Sequence, residues 1–145
     1  PQVASPRDLT KDMLNELSAQ IDETKQKRAI FVIEENARVI NTCEVLQNND
    51  LVSMGENMNK SHHGLSKDYE VSCAELDFLA EFAHKDENVL GSRMMGGGFG
   101  GCTINILKKG YEEQFISKAA AAYKATFAID LKSYQVDLGE GVGRV

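Results

Sequence analysis

Six of the chain's twelve glycines fall between positions 91 and 101, and five of the six residues from 96 to 101 carry no side chain. Glycine loses more conformational freedom on folding than any other residue, so such a cluster marks backbone that must take positive φ or approach something closely. It separates two short apolar runs, residues 89–95 and 102–107. In the second, Cys102, Ile104 and Ile106 alternate with Thr103, Asn105 and Leu107, the period of a strand. The expected unit is strand, glycine loop, strand. Two readings of the loop stand. Successive N–H groups can point into one concavity and hold an anion, or the loop is a tight, bulged connection packed under a helix. It is neither G-x-x-x-x-G-K-[ST] nor a clear G-x-G-x-x-G opening a helix.

Around this unit the apolar spacing is helical. Ser5, Pro6 and Asp8 suit a helix start, and Met13, Leu14, Leu17 and Ile21 share one face, predicting a helix over residues 6–21. Ala29, Val32, Ile33, Val39, Ile40, Cys43 and Leu46 mark the longest helix, residues 24–47. After the Asn48-Asn49-Asp50 turn, Leu51, Met54 and Met58 predict a third helix that frays near Lys60 or a little later. Residues 61–69 read as a polar connection. Ser72 and Glu75 have capping-box spacing ahead of Leu76, Leu79, Ala80 and Ala83. Beyond the strands, Phe115, Ala119, Ala122, Tyr123 and Phe127 predict a helix over residues 111–128. Tyr134, Val136 and Leu138 predict a last strand before Gly139, Gly141 and Gly143. Helices on one face of a small sheet make an α+β layer, and no repeat divides residues 1–145 into two domains.

Twenty-two acidic residues against sixteen basic ones give a net charge of -6, the wrong sign for gathering a phosphate polymer, so nucleic acid is not an expected partner. No apolar run reaches the ~20 residues of a membrane span. Cys43, Cys73 and Cys102 are widely spaced and without C-x-x-C, which fits a reducing cytoplasm. Pro1-Gln2-Val3 lacks an initiator methionine, so processing or a longer parent chain is expected.

His62, His63 and His84 lack metal-ligand spacing, so no metal site is predicted and the histidines are read as solvated or capping. Glu34 and Glu35 are assigned to a solvated face, and Asp68 and Tyr69 to the inter-helix connection. Cys102 is expected to be a small buried group opening a strand. Arg93 either aims at phosphate or organises the loop through carbonyls and a carboxylate, and the second role is preferred.

The run Leu90-Gly91-Ser92-Arg93-Met94-Met95-Gly96-Gly97-Gly98-Phe99-Gly100-Gly101-Cys102 resembles the third signature motif of the GHMP small-molecule kinases, in the form used by galactokinases. The stretch from Met58-Asn59-Lys60-Ser61-His62-His63-Gly64 to Asp68-Tyr69-Glu70-Val71-Ser72-Cys73-Ala74-Glu75-Leu76-Asp77 is similar to the galactokinase segment before that motif. Arg28-Ala29-Ile30-Phe31-Val32-Ile33-Glu34-Glu35-Asn36-Ala37-Arg38-Val39 is similar to the family's long helix. Met95 departs from a usual Thr, and Ala74 from a common Pro.

The resemblance covers nearly the whole chain but only the C-terminal portion of such an enzyme. It implies a ferredoxin-like α+β domain with helices on a small, mainly antiparallel sheet. It also implies ATP and Mg²⁺ bound mainly by an N-terminal half, which supplies the catalytic base and the sugar-binding arginine. This chain would contribute no catalytic residue. It would supply the substrate- and phosphate-proximal loop of Gly96, Gly97, Gly98, Phe99, Gly100 and Gly101, organised by Arg93. The expected partners are galactose, ATP and the protein's own N-terminal domain, in a cytoplasmic sugar kinase that is inactive as this fragment. A galactokinase-like sensor without turnover, a GHMP kinase for another sugar, and a free-standing ligand-binding domain with an anion nest are the alternatives.

Overall fold

A computed structural model of the chain describes residues 4–136 and Gly139. They fall into two compact units, divided between Lys108 and Lys109.

The first unit opens with a short 3-10 turn, Pro6–Asp8, and a helix α1, Lys11–Leu17. The single helix expected over residues 6–21 is therefore broken. Ser5 Oγ accepts the Arg7 N–H at 3.2 Å, but this serves only the 3-10 turn. Thr10 is extended and its hydroxyl accepts the Met13 N–H at 3.2 Å, so α1 starts from a second cap. Asp22 then caps α2, Glu23–Gln47, by accepting the Lys25 N–H at 2.9 Å.

Asp50 caps α3, Leu51–Lys67, through the Ser53 N–H at 3.0 Å. The helix does not fray at Lys60. Ser61, His62 and Gly64 are buried one turn further on, and at Gly64 a Cβ would sit 2.4 Å from the Phe31 ring of α2. What reads as polar connection is a buried polar helix face. Helix α4, Ala74–His84, is preceded by extended Cys73 with no side-chain cap, so the expected Ser72 box does not form. Ala74 is its first residue, the position where proline is tolerated.

Strands β1, Val89–Met94, and β2, Thr103–Leu107, pair antiparallel, from Val89 opposite Leu107 to Met94 opposite Thr103, with an irregularity between Val89 and Gly91. Helices α3 and α4 pack on β1, an α+β arrangement on a small antiparallel sheet. Its core includes Leu76, Ala80, Ala83 and Met94.

The second unit holds α5, Glu112–Phe127, ended by Ala128 in the left-handed region at φ 58°. Among the described residues the expected last strand does not form. Tyr134 and Val136 lie exposed outside any ladder, without the paired edge and buried face a strand needs. Leu138, Gly141 and Gly143 lie outside the described residues.

Candidate functional site

The glycine loop connects β1 to β2, and its base is closed by the Met95 N–H donating to the Cys102 carbonyl at 2.9 Å. Four of its glycines take left-handed backbone: Gly96 at φ 77°, Gly98 at 87°, Gly100 at 137° and Gly101 at 104°. Gly98 is also pressed against the α3–α4 connection, where a Cβ would stand 2.0 Å from the Val71 carbonyl oxygen. The next residue, Phe99, donates its N–H to that oxygen at 2.7 Å. Gly97 differs from the rest: its φ is not left-handed and a Cβ there would meet nothing within 4 Å.

The loop stands open. Its residues are exposed or half-buried, and Phe99, itself at φ 60°, is 76% exposed. It is not packed beneath a helix of its own unit. Cys102 is exposed, against the expectation of a buried strand residue.

Arg93, on β1 just before the loop, donates from Nε to the Met94 carbonyl at 3.2 Å. Its Nη1 lies 3.7 Å from Glu35 Oε1 on α2. Glu35 is not on a solvated face: it accepts the Arg38 Nε–H at 2.9 Å and the Ser61 hydroxyl of α3. Arg93 is thus tied to the backbone and to a carboxylate shared with two other helix residues. Tyr69 packs its ring, tilted by 37°, 5.4 Å from that of Phe31, and Asp68 pairs with Lys27 at 3.7 Å, so both brace the connection beside the loop.

Sequence reasoning missed the residues on the other side of β1. A stripe of α3 at i, i+4 and i+7 meets that strand. At Gly55 a Cβ would fall 1.9 Å from the Leu90 carbonyl oxygen, and Gly91 answers with no side chain of its own. Asn59 Oδ1 accepts the Ser92 N–H at 2.9 Å, and His62 Nδ1 accepts the Met94 N–H at 3.2 Å. From α4, His84 Nε2 donates to the Ser92 carbonyl at 3.3 Å. The signal was present as G-x-x-x-N-x-x-H on one helix face, but nothing local says that its target is backbone about thirty residues away.

His62 Nε2 lies 3.3 Å from Asp77 Oδ1 on α4. Burial, aided by the nearby His84 and Lys67 charges, pushes the His62 pKa below its ordinary value although Asp77 pulls the other way. Burial opposes ionisation of Asp77, yet the Ser72 and Ser66 hydroxyls and the Lys67 and His62 charges outweigh it and hold that carboxyl below the usual range. A cavity of about 310 Å³ opens beside this network, lined in part by His62, His63, Asp77 and His84. A second, of about 380 Å³, lies along Lys11, Arg38 and Asn57. Neither is lined by the glycine loop. Among the described residues no group of three or more His, Cys, Asp or Glu is placed to hold a metal ion, and no helix is long and apolar enough to cross a membrane.

Comparison with known proteins adds the family. The model described as "GHMP kinases C terminal" matches residues 42–125. A galactokinase of Clostridium beijerinckii is 39% identical over 139 residues, covering 95% of this chain and 36% of that protein. One of Bacillus subtilis is 42% identical over 120 residues, 83% of this chain and 31% of the relative. Among solved structures, Lactococcus lactis galactokinase complexed with galactose superposes with a TM-score of 0.83 at 34% identity, covering 90% of this chain and 34% of that one. The chain spans about a third of the length of these relatives.

Proposed function

Because this chain belongs to the GHMP kinase C-terminal family, we propose that it is the C-terminal part of a galactokinase and supplies the floor of the active site through its glycine loop. The reaction breaks the bond from the γ-phosphorus of ATP to its bridging oxygen and forms a new one to the C1 oxygen of galactose. ADP leaves, and the C1 hydroxyl proton passes to a base outside this chain. Phosphoryl transfer depends on positioning and on donors aimed at developing charge, and the loop's part is to hold backbone N–H groups close to the reacting phosphate. Mg²⁺, held mainly with ATP by the rest of the protein, would neutralise phosphate charge.

One observation carries this reading. Positive φ or close approach accounts for Gly96, Gly98, Gly100 and Gly101, but neither accounts for Gly97. A side chain is missing where this chain's own fold leaves room for one, so the space suits a ligand that approaches the backbone. The galactokinase relatives give that ligand its class.

The test uses the complete protein that contains this chain. Gly97→Ala should keep the denaturation midpoint of the wild type and lower ATP-dependent galactose phosphorylation by about 10-fold or more. The 145-residue chain alone should not phosphorylate galactose. A fully active Gly97→Ala enzyme, or turnover by the isolated chain free of longer enzyme, would overturn the proposal.

A further inference from the structure

The strand that feeds the glycine loop is fixed along two edges by different means. One edge pairs with β2 through backbone bonds. The other is met by side chains: Asn59 at the Ser92 N–H, His84 at the Ser92 carbonyl and His62 at the Met94 N–H. We propose that His62 is the positioning residue of the glycine loop: with its proton on Nε2, it links the Asp77 carboxylate to the Met94 N–H and so sets where the loop's backbone donors stand. This role rests on the galactokinase reading above.

The tautomer follows from the partners. Met94 is fully buried, so its N–H cannot turn to water and needs an acceptor. Only an unprotonated Nδ1 can accept, which leaves the ring proton on Nε2, facing Asp77. Asp77 is itself held in orientation, its other oxygen taking the Ser66 hydroxyl at 2.8 Å with Lys67 Nζ at 3.8 Å. The line of contacts therefore runs from Asp77 on α4, 3.3 Å from Nε2, through the α3 imidazole to the N–H of the last residue of β1. Met95, the next residue, closes the loop onto Cys102. A shift at the Met94 nitrogen passes directly to the first peptide of the loop, and in a positioned phosphoryl transfer small displacements cost rate more than affinity.

Two substitutions separate positioning from mere filling of space. The side-chain oxygen of Asn takes the place of Nδ1, whereas the Gln amide reaches the place of Nε2. In the complete protein, His62→Gln should lower kcat by about 10- to 100-fold with KM for galactose and ATP within about 3-fold. His62→Asn, which keeps the acceptor for Met94, should stay within about 5-fold of wild-type kcat. If the wild type is active and the two variants lose kcat equally, or neither loses it, the positioning role is wrong while the galactokinase reading survives. A wild type that turns over no galactose sinks that reading and this role with it. Should both variants fail to fold, ¹⁵N spectra of the wild-type imidazole decide the point. An unprotonated Nδ1 coupled to the Met94 amide supports the proposal, and a protonated Nδ1 overturns it.

Discussion

Helices α2 and α3 lie side by side and break the usual pattern in opposite directions. The C-terminal half of α2 leaves Val39 58% and Ile40 63% exposed, with Leu46 also bare, although these residues continue the stripe begun by Ala29, Val32 and Ile33. Helix α3 buries Asn57, Ser61 and His62. Burial here follows hydrogen-bond partners and close backbone approach as much as apolarity. Ser61 has Glu35, His62 has the Met94 N–H with Asp77 Oδ1 3.3 Å from its other nitrogen, and Asn57 Nδ2 donates to Asn41 Oδ1 at 2.8 Å.

The contrast breaks most severely at Gly55. Gly55→Val would place side-chain atoms on the Leu90 carbonyl and force α3 off β1, with an expected loss of about 3 kcal/mol in urea denaturation. A variant with the wild-type midpoint would mean that helix and strand do not touch so closely. Asn59→Ala tests the next level, since it orphans the buried Ser92 N–H and should cost about 1–3 kcal/mol. Asn59→Asp, which keeps an acceptor oxygen, should recover part of that loss, and equal losses in both would point to packing alone.

A smaller, pH-dependent effect comes from His62. Its folded-state pKa is lowered from the ordinary 6.5, chiefly by burial, so as pH falls the unfolded chain takes up this proton first. The contribution is full above 6.5 and is lost as pH drops through the folded value. The groups around the imidazole are Asp77, Glu81 and His84 on α4 and Lys60, His63 and Lys67 on α3. Urea midpoints should therefore fall between pH 7.5 and pH 5.5, by less in His62→Asn than in the wild type. Identical slopes in the two proteins would assign the titration elsewhere.

The smallest change belongs to α2. Ile40→Ser should move stability of the chain by no more than about 0.5 kcal/mol, because the side chain is already largely in water. A loss several times larger would place this stripe in a buried contact.

Much of the frame was legible because it rests on local rules. Helix α2 was expected over residues 24–47 and spans Glu23–Gln47, α5 was expected over residues 111–128 and spans Glu112–Phe127, and both strands differ by one residue at an end. The glycine cluster announced its loop through the cost of glycine itself. What stayed hidden depends on distant partners. By periodicity Ser61 and His62 face solvent, which ends α3 too early and hides the reach of His62 to Met94, thirty-two residues on. Glu35 reads as solvated for the same reason, since its partners Ser61 and Arg93 are far along the chain. Apolar spacing likewise runs the 3-10 turn into α1 across Thr10, and the alternation at Tyr134 and Val136 has no ladder to join.

The side-chain seal along the far margin of β1 has a consequence for solubility. A short hairpin ordinarily offers its spare amides as a template on which a foreign strand can grow, a route to fibrils. Here Asn59, His62 and His84 occupy those amides and carbonyls in advance. The same three residues that steady the segment entering the loop also deny intruding chains a foothold on that side.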